Sequence, residues 1–122
     1  MGERSNVYIT VDEDQPPLVI YSHWGGGTLA PEVHSAILKA EERWGDPSYC
    51  CRIIVQNFLN RIADPESSTG AGLSFRPDDQ DSYYNPIHVS IPKQEVRIGN
   101  GGWSFKEFVD MDPLRTASME RR

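Results

Sequence analysis

The sequence predicts an α+β fold in which a mostly antiparallel sheet packs against a central helix pair. Three observations lead there. Short β-branched or alternating runs occur at 6–11, 18–21, 73–75, 87–91 and 95–98. Two adjoining segments, entered at Pro31 and Pro47, carry apolar residues at helical spacing. The runs cluster around the helix pair instead of alternating with helices, which gives the order β-β-α-α-β-β-β-α and argues against a parallel α/β sheet. With 122 residues, 38% of them hydrophobic, the chain can bury one core. It reads as a single domain over 1–112 followed by a polar C-terminal tail over 113–122.

Each element has a local cause. Residues 6–11 read Asn-Val-Tyr-Ile-Thr-Val and 18–21 Leu-Val-Ile-Tyr, two strands joined across an acidic, Pro-containing loop. In the first helix Val33, Ile37, Ala40 and Trp44 share a face, and Gly45 ends it. The second begins at Asp46-Pro47 and runs to about Ile62. It is apolar around most of its circumference, so it should be covered on more than one side, by the sheet, the first helix and a second copy of the chain. That predicts a homodimer burying roughly 1,200–2,000 Å² in total. Its narrow polar stripe is Arg52, Gln56 and Asn60. After a polar loop, 73–75 forms a short strand. Pro92-Lys93 turns the strand 87–91 into 95–98, and 99–102, Gly-Asn-Gly-Gly, reads as a turn. Ser104 and Glu107 match a capping box opening a short helix.

Composition excludes several functions. The formal charge is −6 and no basic run occurs, so direct nucleic-acid binding is not expected. No apolar run reaches the ~18 residues of a membrane span, and 1–10 lacks the apolar core of a secretory signal. Cys50 and Cys51 are adjacent and have no third cysteine to pair with. Neighbours on a helix point about 100° apart, so they read as free, buried thiols in a reducing cytoplasm. His23, His34 and His88 lack metal-ligand spacing, and the acidic runs 12–14 and 78–81 lack the pattern of a calcium loop. No metal, no cofactor and no catalytic set is assigned.

Three constellations remain as ligand-binding candidates. His23, Trp24, Gly25, Gly26 and Gly27 end a strand and lead into a helix, where free backbone amides can meet an anion and an indole can stack on a ring. Arg52, with Gln56 one turn on, places a planar guanidinium on an apolar helix. Thr69 and Gly70 open the Thr-Gly-Ala-Gly segment before a strand, where glycine permits close backbone approach. A strand end, a helix pair and a later strand entry can surround one cleft, so these residues are expected to line a single pocket.

The blocks Tyr21-Ser22-His23-Trp24-Gly25-Gly26, Arg43-Trp44-x-Asp46-x-Ser48-Tyr49-x-x-Arg52-Ile53 and Thr69-Gly70-x-Gly72 resemble small uncharacterised proteins of actinobacterial tailed phages and prophages. The resemblance spans roughly residues 18–75, and Ala71 stands where those proteins place an aromatic residue. It implies a phage accessory protein working in the host cytoplasm and carries no catalytic assignment. The expected function is non-enzymatic binding of a small anionic, nucleotide-like ligand, with sequestration of a host signalling nucleotide as the anti-defence role. One alternative is an acidic protein–protein inhibitor or interaction module acting on a host protein. Another is an enzyme with His23 as general base.

Overall fold

The computed structural model describes residues 5–22, 28–75 and 84–121. Six strands, β1 (Ser5–Thr10), β2 (Leu18–Ser22), β3 (Ala71–Ser74), β4 (Ile87–Ser90), β5 (Glu95–Ile98) and β6 (Gly101–Ser104), form one sheet in the order β3-β2-β1-β4-β5-β6. Every neighbouring pair is antiparallel except the central β1–β4 pair, which is parallel. The helices are α1 (Leu29–Lys39), α2 (Pro47–Ile62), α3 (Phe105–Val109) and α4 (Pro113–Met119), with a 3₁₀ turn at Glu41–Arg43. This is the predicted α+β class.

Period-two alternation sorts the sheet into two faces. Val7 pairs with Ile20 and Ile87, Val89 with Ile9 and Val96, and Ile98 with Ile87. These side chains form one face and one core cluster with Leu29, Val33, Ile37, Ile54, Phe58, Phe105 and Phe108 of the helices. The opposite face carries Tyr8, Thr10, His88, Ser90, Glu95 and Arg97 by the same registers.

α1 buries Leu29, Ala30, Val33, His34, Ala36 and Ile37. Trp44 follows it, its Nε1 donating to the Ile37 carbonyl at 3.0 Å and its ring meeting Phe105 edge-on at 5.3 Å. The capping box of α3 forms as its sequence predicts, with Ser104 and Glu107 each satisfying the other's backbone N–H.

The structure departs from the sequence reading in four places. The first helix does not run to Gly45: α1 stops at Lys39, and a 3₁₀ turn at Glu41–Arg43 carries the chain on to Trp44. Only Cys50, Ile54 and Phe58 of α2 are buried, one stripe against the core, while Cys51, Ile53, Val55, Leu59 and Ile62 are half-buried and Tyr49 is exposed. α2 is therefore an outer helix, not one covered on several sides. Residues 99–102 are not all turn: Gly99 takes the left-handed conformation (φ 58°), but Gly101 and Gly102 continue into β6. A Cβ on Gly101 would lie 2.3 Å from the Trp103 ring, so the glycine is there to admit the indole over the strand. Residues 113–119 of the expected tail form α4. Asp112 accepts from Leu114 N–H at 2.9 Å, Thr116 is buried, and the buried Glu120 carboxylate accepts from Ala30 N–H in the first turn of α1.

Candidate ligand-binding site on the open sheet face

The polar positions of β1, β4 and β5 lie in two cross-strand rows on the face away from the core. One row is Tyr8, His88 and Arg97, and the next is Thr10, Ser90 and Glu95. They are polar because their neighbours in sequence, Ile87, Val89, Val96 and Ile98, supply the core on the other side. Glu13 from the β1–β2 loop and Lys93 from the β4–β5 turn stand at the rim, their side chains 3.7 Å apart. Ser90 shapes that turn by accepting from Lys93 N–H at 3.3 Å. Together, Thr10, Glu13, His88, Ser90, Lys93, Glu95 and Arg97 line a cleft of about 460 Å³.

Two features give the cleft its chemistry. The Tyr8 and His88 rings stack nearly parallel, with centroids 4.8 Å apart and planes inclined by 11°. Burial, and then the adjacent Arg97 charge, hold the His88 imidazole below its usual pKa, so it is neutral at pH 7. Among the described residues, Arg97 and Glu95 have no hydrogen-bond or ion-pair partner. They are two positions apart on one strand face, about 7 Å between Cα atoms, a gap long side chains can span, yet the two make no ion pair with each other. An unpaired guanidinium fork, an unpaired carboxylate and a stacked aromatic pair thus share one open surface. One position up the same face of β1, Asn6 is buried, and its side-chain Oδ1 has no hydrogen-bond partner among the described residues.

The residues singled out in the sequence lie elsewhere. His23, Trp24, Gly25, Gly26 and Gly27 fall outside the described residues. Arg52 is exposed on α2, where its Nη1 donates to Gln56 Oε1 at 2.9 Å. Thr69 lines a separate cleft of about 520 Å³ with Leu59, Ala63, Asp64, Ala71 and Leu73; neither Arg52 nor Gln56 reaches it. Gly70, beside Thr69, has φ 106°, which explains the glycine by backbone conformation. Among the described residues no group of three or more His, Cys, Asp or Glu side chains is placed to hold a metal ion.

The cleft residues were legible in principle. The runs Ile-His-Val-Ser and Glu-Val-Arg-Ile, joined by a tight turn, already place His88, Ser90, Glu95 and Arg97 on one face. What the sequence lacks is the parallel neighbour: nothing local shows that β1 lies beside β4 and brings Tyr8 and Thr10 to the same rows. Comparison with protein-family models, curated proteins and solved structures finds no match to this chain.

Proposed function

We propose that this chain is a non-enzymatic binding protein for a small anionic, nucleotide-like ligand, and that the open sheet face is where the ligand sits. The observation that carries the reading is the unpaired Arg97 guanidinium beside the stacked Tyr8–His88 pair. A planar fork recognises phosphate or carboxylate oxygens two at a time. The aromatic pair offers a ring edge for a base, and Glu95 accepts from the hydroxyls of a sugar. Ser90 and Thr10 supply further hydroxyl groups along the second row. His88, kept neutral, presents a hydrogen-bonding nitrogen in place of a second positive charge. The resemblance to phage-encoded proteins supports sequestration of a host signalling nucleotide in the cytoplasm as the role.

Calorimetric titration of mono-, di- and cyclic ribonucleotides and of ADP-ribose tests the proposal. At least one is expected to bind. Arg97→Lys keeps the charge but loses the fork, and should weaken that binding by about 1.5–3 kcal/mol, roughly ten- to hundred-fold. Because Arg97 is exposed, the melting temperature should stay within about 0.5 kcal/mol of wild type in stability terms. Binding by none of these ligands, or equal binding by Arg97→Ala, would remove the reading.

A further inference from the structure

We infer, resting on the binding role proposed above, that the ligand of the cleft is a ribonucleotide with a single phosphodiester and hence one negative charge, its phosphate held by Arg97 and its free 2′-hydroxyl by Glu95. The charges of the cleft point there. Its charged lining residues are Glu13, Lys93, Glu95 and Arg97, two of each sign. Lys93 and Glu13 face each other at 3.7 Å across the rim. Arg97 and Glu95 stand in neighbouring rows of β5 and, among the described residues, make no ion pair. The pair left for a ligand is therefore one guanidinium and one carboxylate.

The guanidinium selects the phosphate. A phosphodiester spreads one charge over its two non-bridging oxygens, and a planar fork takes both at once. A terminal phosphate monoester carries about −1.5 to −2 at pH 7 and a third acceptor oxygen. Di- and triphosphates carry more. The surplus charge would lie beside Glu95 and Glu13, on a chain whose formal charge is −6. His88 adds no second cation to offset it, since burial and then the Arg97 charge keep its imidazole neutral at pH 7. One uncommitted cation thus matches one negative charge.

The carboxylate selects the sugar. Glu95 so close to a bound phosphate is repulsive unless it accepts a hydrogen bond from the same ligand. In a 3′,5′-phosphodiester both of those ribose oxygens are esterified, so the 2′-hydroxyl is the donor left on the ring. It sits on the carbon next to the phosphate-bearing 3′ position. Arg97 and Glu95 start about 7 Å apart on one strand face, a span from which two long side chains can reach neighbouring groups of one ribose phosphate. Ser90 lies opposite Glu95 in register and Thr10 beyond it, so the second row lines the sugar edge with hydroxyls. The stacked Tyr8 and His88 rings, in the same row as Arg97, are left for the base. The cleft, about 460 Å³, falls in the size range of small-ligand sites.

Calorimetry on the full chain at pH 7 decides the matter with three matched ligand sets: the 3′,5′-cyclic monophosphates of adenosine, guanosine, cytidine and uridine, their 2′-deoxy forms, and the 5′-mono-, di- and triphosphates of the same nucleosides. At least one cyclic ribonucleotide should bind about 10-fold or more tighter than every 5′-phosphate of its base, and its 2′-deoxy form should bind about 10-fold or more weaker. Glu95→Ala should erase the difference between ribose and deoxyribose. Glu95→Gln keeps an acceptor oxygen without the charge, so it should improve 5′-triphosphate binding about 10-fold while the cyclic ligand keeps its affinity. Melting curves show whether the variants keep the fold, and the wild-type ranking needs no variant. A 5′-phosphate that binds as tightly as the cyclic ligand overturns the inference and leaves the broader nucleotide reading in place. So does equal binding of ribo and deoxy forms, or a ribose preference that survives Glu95→Ala. Binding by no ligand in any set removes both.

Discussion

Arg52 and Arg97 show what separates a suggestive residue from a placed one. Arg52 drew attention because its sequence neighbours are apolar, yet helical geometry turns it outward, where Gln56 one turn away is partner enough. Arg97 is flanked by Val96 and Ile98 in sequence, but on a strand those neighbours point to the opposite side, leaving the guanidinium on a polar face. Cys50 follows the sequence reading more closely. It is fully buried, and burial first, then Cys51 and Asp46, push its thiol pKa from 9.0 to about 11. An acid whose folded pKa is raised binds its proton more tightly in the native state. Its contribution to stability is therefore complete below about pH 9 and is lost as pH rises through about 11. That loss should amount to about 2–3 kcal/mol in urea titrations across this window. Cys50→Ala should flatten the alkaline limb, and an unchanged slope would show that the thiol is not its source.

Elements built from local signals were the most legible ones. The capping box of α3, the Asp-Pro entry of α2 and the alternating strands β4 and β5 all formed where expected, because each is specified within a few residues. β6 and α4 were missed for opposite reasons. In β6, glycines that resemble a turn are there to admit a ring, so Gly101→Ala should force the Trp103 indole off the strand at a cost of about 1–3 kcal/mol, with a changed near-UV spectrum. In α4 the apolar pattern is faint: Leu114 is 81% exposed, Met119 packs against the core, and Glu120 ties the end of the helix to the start of α1. Glu120→Ala should leave the Ala30 N–H without that acceptor and lower stability by about 1–3 kcal/mol, measured by chemical denaturation. A neutral outcome would mean that α4 is carried by its other contacts. These include Asn85, whose N–H donates to the Glu120 carbonyl at 2.7 Å and whose Nδ2 donates to the Met119 carbonyl at 3.1 Å.

At the scale of the whole molecule, class and faces could be read from the sequence but the strand order could not. Alternation says which side chains share a side; it does not say which strand lies next to which. The open-face site depends on that second fact, since its two rows are assembled across β1, β4 and β5. The central β1–β4 pair also governs how the protein comes into being. Val7 finds Ile87 only 80 positions later in the chain. The β1–β2 hairpin and the two long helices have all been synthesised well before that partner exists. At a synthesis rate of about 5–20 residues per second, the inner edge of β1 waits roughly 4–16 s for its neighbour. Through that interval the nascent chain holds Val7 and Ile9 on an unfinished sheet, with the topology of its own closing strand still to be translated. Long-range parallel closure of this kind makes folding slow relative to a helical protein of equal length, and the cell sees an open strand first and a closed sheet only afterwards.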